Sequence, residues 1–190
     1  MKTAFTVVYD SSALFSARLR DLLVRLALTG LFRAKWTDDI HEEWIRAVLA
    51  ERPHLERWQL ERTRHRMNAA VQDCLVEGYQ GLMETLALPD PDDRHVLAAA
   101  IRSGAQTIVT FNLDDFPPTV LGAWDIEAHH PDDFVVSLMD LDSAKVFEAV
   151  REQRAALAKP AVTAEALLEG FERNALAQTV ARLRASIALI

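Results

Sequence analysis

The chain has 190 residues, half of them hydrophobic and 26% charged, with a formal net charge of −7. That length is one domain, or one domain with an appendage, and the composition excludes a disordered or collagen-like chain. No apolar run reaches the ~18 residues a membrane span needs, so a soluble protein is expected. In chain order, AFTVVY (4–9) is a compact, β-branched run that predicts a buried first strand. It ends at Asp10-Ser11-Ser12, where Ser11 or Ser12 is placed to cap a helix. That helix is predicted over roughly 13–29, with Leu14, Leu19, Leu22, Leu23 and Leu26 at helical spacing and Gly30 as its stop. LFRAKW (31–36) reads as a second strand, and Thr37 or Asp38 as the cap of a helix over 39–50. Pro53 opens an arginine-rich helix expected to run to about 77, before Gly78 and Gly81. The loop LPDPDD (88–93) leads into the alanine-rich helix RHVLAAAIRSG, closed by Gly104. AQTIVTF (105–111) predicts a third strand, an acidic turn with Pro117-Pro118 follows, and a short fourth strand is expected near 124–128. PDDFVVSLMDL (131–141) predicts a helix with Pro131 at its start and Asp132 and Asp133 in its first turn. Ser143 and Thr163 are expected to cap two further helices, separated by Pro160, and a last helix repeats Leu176, Val180, Leu183 and Ile187.

Strands alternating with helices imply an α/β fold, a parallel sheet with helices on both faces. Beyond residue 140 the pattern is helical only, so the chain divides at 140/141 into a sheet domain and a helical extension. MKTAFTVVYD does not read as a secretory leader: its apolar stretch is short and ends in a charge. One cysteine, Cys74, excludes an intramolecular disulfide and a cysteine-based zinc site, and a reduced, cytoplasmic compartment follows as the expectation.

The charge is unevenly placed. Residues 1–70 carry 12 Lys+Arg and 9 Asp+Glu, a net +3, whereas 71–190 carry 9 and 19, a net −10. An acidic total with a basic first third still suits a local contact with a polyanion. The segment 52–66 concentrates this, with Arg57, Arg62, Arg64 and Arg66 placed for phosphate contact and Trp58 and His65 for base stacking. The plainer reading is a solvated helix face with ion pairs three and four residues apart. Trp36, Trp44, Trp58 and Trp124 are expected in the core or in helix packing. His129-His130 beside Asp132 and Asp133 is a weak metal pattern, because adjacent side chains point apart.

The acids carry the chemistry. In an open α/β sheet functional residues gather beyond the carboxyl ends of the strands. Asp10 ends the first strand, Asp92 and Asp93 stand at the mouth of the alanine-rich helix, and Asn112, Asp114 and Asp115 follow the third strand. Glu42 or Glu43 opens the second helix. Each alone reads equally as a turn former, a cap or a solvated surface residue. Brought together, several carboxylates need a cation, and hard oxygen ligands favour Mg²⁺ or Mn²⁺. No glycine follows Asp10, so the loop after the first strand is no phosphate-cradling loop.

Four stretches resemble a PIN-domain ribonuclease of the VapC type, the toxin of VapBC toxin–antitoxin pairs. VVYDSSALFS resembles the opening strand with its first aspartate, and WTDDIHEEWIRAVL the glutamate segment. PDPDDRHVLAAAIRSGAQTIVTFNLDDFP resembles the third-aspartate helix with its strand and acidic turn, and the tail resembles the helical extension of one subgroup. The resemblance implies a PIN-like three-layer α/β/α fold with a central parallel sheet. It implies Mg²⁺- or Mn²⁺-dependent endonucleolytic cleavage of RNA, an antitoxin partner and a homodimer. Carried over, the acids are Asp10, Glu43, Asp93 and Asp115. Asp10, Asp93 and Asp115 would hold metal, and Glu43 a metal-bound water. Asn112 stands where many members carry aspartate, which bears on the second metal position. Thr110 and Ser11 are placed to hydrogen-bond the carboxylates or a phosphate. The other class is a non-catalytic PIN-like module that binds RNA or a protein.

Overall fold

The computed structural model describes residues 5–158 and 160–190; the predicted first residue of the opening strand, Ala4, lies outside them. Strand β1 (Phe5–Tyr9) is followed by α1 (Ser11–Phe15) and α2 (Ala17–Leu28), then β2 (Phe32–Lys35), α3 (Asp38–Glu51), α4 (Arg57–Ala70) and a short α5 (Gln80–Met83). A 3-10 turn at Pro91–Asp93 leads into α6 (Arg94–Ser103) and β3 (Thr107–Val109). After 3-10 turns at Leu113–Asp115 and Gly122–Trp124, which flank α7 (Pro118–Leu121), come β4 (Glu127–His129), α8 (Pro131–Ala156), α9 (Ala164–Glu172) and α10 (Ala177–Arg184).

The strands form one parallel sheet of order β2-β1-β3-β4. Being central and parallel, β1 is buried on both faces from Thr6 to Tyr9, so it reads as a continuous apolar run rather than an alternating one. Helix α6 packs on β1 and β3, α2 on β2, and Phe134 of α8 meets the rings of Tyr9 and Phe32 edge-on. The result is a three-layer α/β/α domain with a helical extension, as the sequence predicts.

Local differences have local causes. The first predicted helix is two helices. Asp10, not Ser11 or Ser12, caps α1, accepting from the N–H groups of Ser11 and Ser12, and Ser16 in extended backbone caps α2. The arginine-rich helix begins at a capping box of Glu56 and Gln59 and stops at Ala70. Asp73 then takes a positive φ of 53°, and Cys74 and Val76 exchange backbone bonds with Trp36, so tertiary pairing overrides the helix. The fourth strand lies at Glu127–His129, with Trp124 in the turn before it. Helix α8 continues through the predicted break but kinks at Asp142, whose carboxylate, not Ser143, accepts from the Lys145 N–H. Of the tryptophans, Trp36 and Trp44 are fully buried, whereas Trp58 and Trp124 are 59% and 46% exposed.

A buried polar knot positions α3. Trp44 Nε1 donates to His41 Nδ1 at 3.0 Å. That leaves His41 Nε2 to donate to Asn68 Oδ1 at 2.9 Å, an oxygen that also accepts from Trp36 Nε1 at 2.8 Å. Burial lowers the His41 pKa, with Arg64 adding to that push against the Asn68 hydrogen bond and the Asp38 and Glu61 charges, in keeping with a neutral ring in this role. The knot fixes α3 against α4 and so the helix turn that carries Glu43.

Candidate active site

The order β2-β1-β3-β4 reverses direction between β1 and β3, which makes a crevice beyond their carboxyl ends. Asp10 sits at that point, 1% exposed. Its N–H donates to the Val109 carbonyl at 3.0 Å, so the two strand ends are tied through the residue itself. Its Oδ1 accepts from the Ser11 N–H at 2.7 Å. Its Oδ2 accepts from Ser12 Oγ at 2.6 Å, Thr110 Oγ1 at 2.8 Å and the Ser12 N–H at 3.3 Å. Both hydroxyl protons are therefore committed to Asp10. The same two oxygens then accept in turn: Ser12 Oγ from the Phe111 N–H at 3.1 Å, and Thr110 Oγ1 from the Asn112 N–H at 3.0 Å. The loops after β1 and β3 thus close around one carboxylate, and its Oδ1 keeps capacity for another partner.

Asp93 ends the 3-10 turn before α6 and occupies the N-cap position, but its side chain makes no capping bond. Its half-buried carboxyl is pushed from 3.8 to about 7, first by burial and then by the charges of Asp10, Asp115, Asp90 and Glu43. Of the two adjacent aspartates, Asp93 is the one near the other acids, while Asp92 is exposed. A similar choice falls out at α3. Glu42 is taken up by Arg57 and Arg64. Glu43 turns the other way and meets His95 Nε2 at 2.8 Å through Oε1. Burial alone would lower the His95 pKa, but the hydrogen bond and charge of Glu43, with Asp39 and Asp10 behind it, raise it on balance.

Asp115 closes the 3-10 turn after β3, held by its N–H on the Asn112 carbonyl at 3.1 Å and by Phe116, 1% exposed, as the anchor beside it. Asn112 and Asp114 are exposed, and the Asn112 side chain makes no capping bond. Among the described residues, no three carboxylate, histidine or cysteine side chains stand close enough to share one ion. The donor set is nonetheless hard oxygen and mutually repelling. It suits a cation such as Mg²⁺ that keeps several waters and takes one or two carboxylates directly.

The sequence reading does not place two contributors at the site. Ser12, not Ser11, supplies the hydroxyl on Asp10, and His95 braces Glu43. Ser12 follows from Asp10 capping its own helix, since the residue two beyond a cap faces back to it. His95 shows only once α6 is set against α3. The arginines of α4 are mixed. Arg57 and Arg64 pair with Glu42 and Glu61, and Arg64 also with Asp38. Arg62 lies over the Trp58 ring, 5.3 Å from its centroid, and Arg66 is exposed. His130 Nδ1 accepts from the Asp132 N–H as a helix cap. The Asp132 carboxylate caps α10 through the N–H groups of Gln178 and Thr179, so neither is free for a metal. No helix among the described residues is long and apolar enough to cross a membrane.

A family profile described as "PIN domain" matches residues 6–114, and one described as "VapC50 C-terminal domain" matches residues 131–185. The protein named "Putative ribonuclease VapC50" from Mycobacterium tuberculosis (strain ATCC 25618 / H37Rv) is 42% identical over 79 residues, which is 42% of this chain and 47% of that relative. The chain therefore matches about half the length of that curated relative. No solved structure matches. The PIN match covers more than half of the chain and contains Asp10, Glu43 and Asp93, and the chain belongs to the PIN-domain family, in the VapC-type form that carries a C-terminal helical domain.

Proposed function

We propose that this chain is a metal-dependent endoribonuclease that hydrolyses RNA phosphodiester bonds, acting as the toxin of a toxin–antitoxin pair. The observation that carries the reading is the buried Asp10 carboxylate at the crevice beyond β1 and β3, held by the Ser12 and Thr110 hydroxyls, with the charges of Asp115 and Glu43 near enough, together with burial, to raise the Asp93 carboxyl. Acids gathered at such cost at a strand-end crevice fit a divalent cation and a phosphate. Asp10, Asp93 and Asp115 would hold Mg²⁺ or Mn²⁺, directly or through water. When bound, the ion lowers the pKa of a water and offsets charge on the phosphate oxygens. Glu43, oriented by His95, would accept a proton from the attacking water. Ser12 and Thr110 keep the Asp10 carboxylate fixed, and Asn112 orients a water through its amide. Arg62 and Arg66 meet the RNA backbone beyond the site, with Arg57 and Arg64 contributing as their carboxylate partners allow.

The reading extends to an antitoxin protein as partner, a homodimer, and a cytoplasmic setting. The division at 140/141 into nuclease domain and extension belongs to it as well, supported by the kink at Asp142. Neutral Asn112 favours one other reading, a PIN-like module that binds RNA without cutting it. Incubation of total RNA with the chain, with and without Mg²⁺, separates the two. Cleavage that needs Mg²⁺ and disappears in Asp10→Asn supports the nuclease; binding without cleavage supports the module.

A further inference from the structure

The extension does more than cover α2. A cleft of about 530 Å³ lies between it and the PIN domain, walled by the start of α2, the end of α3, α8 and α9. A cleft of that size suits a ligand of nucleotide dimensions. Four arginines line it against one carboxylate, Asp21. Arg18, Arg52 and Arg173 line it and form no ion pair among the described residues, while Arg25 is shared with Asp21 and Glu152.

Arg18 is seated by design of the backbone. A Cβ at Gly170 would stand 2.5 Å from Arg18 Cδ and 2.7 Å from its Nη1, so the glycine leaves room for the guanidinium to lie across α9, where Nη1 donates to the Ala166 carbonyl at 3.5 Å. Glycine inside a helix is unfavourable, and here it makes room for a cation. Gln153, 1% exposed, also lines the cleft. Its Nε2 donates to the Arg18 carbonyl at 2.8 Å, which fixes the amide and leaves Oε1 without a protein partner.

We propose that this cleft is a second anion site, built jointly by the PIN domain and its extension, that takes a phosphate group with several charged oxygens. Three uncompensated guanidiniums exceed what one carboxylate uses, since a single arginine already satisfies a carboxylate bidentately. The phosphate belongs to a free nucleotide or to an RNA strand, and the experiment separates these.

Binding of pyrophosphate and of ADP to the full chain is measured by calorimetry in EDTA, so that the acidic site takes no part. Binding of a 5′-phosphorylated RNA oligonucleotide is measured with Asp10→Asn across a salt series. The variant is Arg52→Gln with Arg173→Gln, both exposed residues. Pyrophosphate affinity is expected to fall at least tenfold in it. Loss of ADP binding with unchanged RNA binding assigns a free nucleotide. Weaker RNA binding with a salt slope reduced by about 1.4 assigns the strand. Gly170→Ala, which keeps every arginine but displaces Arg18, is expected to weaken the same ligand. Unchanged binding of all three probes in both folded variants, no binding to the parent chain, or capture of an acidic peptide with no phosphate binding overturns the proposal.

Discussion

Replacing Asp93 by asparagine tests whether the acids at the strand ends truly press on one another. The carboxyl is pushed from 3.8 to about 7, by burial first and by Asp10, Asp115, Asp90 and Glu43 after it. A folded-state pKa raised above the unfolded one means that the folded protein binds the proton more tightly. The metal-free protein should therefore lose stability as pH rises from about 4 to about 7, and the penalty is complete above 7. Each pH unit corresponds to about 1.4 kcal/mol, which gives an upper bound of about 4 kcal/mol for an enclosed group. The carboxyl is only half-buried, and solvent screening reduces this to about 1–2 kcal/mol. In EDTA at pH 8, Asp93→Asn should thus be more stable than the parent by about 1–2 kcal/mol, or roughly 2–6 °C in Tm for a chain of this length. At pH 4 the two should melt together. Added Mg²⁺ should reverse the order, because a ligand that binds the folded state raises the parent's stability and the variant has lost a ligand group. Thermal unfolding followed by circular dichroism in the four conditions reads this directly. A variant less stable than the parent at pH 8 in EDTA, or a difference that does not change with pH, refutes the reasoning.

Other consequences follow from the same contacts. Thr110→Val keeps shape but removes a buried hydroxyl bond to a carboxylate, so it should cost about 1.5–3 kcal/mol in urea unfolding and reduce cleavage in parallel. Asp132→Ala removes the cap on α10, accepted at 2.8 Å from both Gln178 and Thr179, and should cost about 1–2 kcal/mol, with faster hydrogen exchange confined at first to 177–184. Arg62→Gln with Arg66→Gln should lower the salt slope of RNA binding by about 1.4, whereas Arg57→Gln should change it less because Glu42 and Glu61 already hold that charge.

The central sheet and the acid positions were legible because their signals are local. TFNLDDF and the alanines behind Asp93 fix a strand, a turn and a helix within thirty residues, and the β1 run, short and β-branched and ending at Asp10, reads as a buried parallel strand. What was not legible depends on contacts made across the fold. The break at Ser16 is hidden because leucine spacing continues through it, and only Ser16 in extended backbone, capping α2, ends α1 after five residues. The end of α4 at Ala70 is set by Trp36 pairing with 74–76, which no helical pattern in 53–77 reveals. Glu42 and Glu43 differ in sequence by nothing but position, and it takes Arg57 and Arg64 on one side and His95 on the other to tell them apart. Trp58 and Trp124 show the limit of composition: a large apolar residue is expected inside until the element carrying it is placed.

The chemistry of the RNA ends tests the central claim most directly. A water activated at a metal site and attacking phosphorus gives hydrolysed ends with no cyclic phosphate, whereas attack by the neighbouring 2′-hydroxyl gives a 2′,3′-cyclic phosphate. The chain with Mg²⁺ should yield fragments free of cyclic phosphate, at a rate abolished by EDTA and by Asp10→Asn. Cleavage that survives EDTA and leaves 2′,3′-cyclic ends would contradict the account.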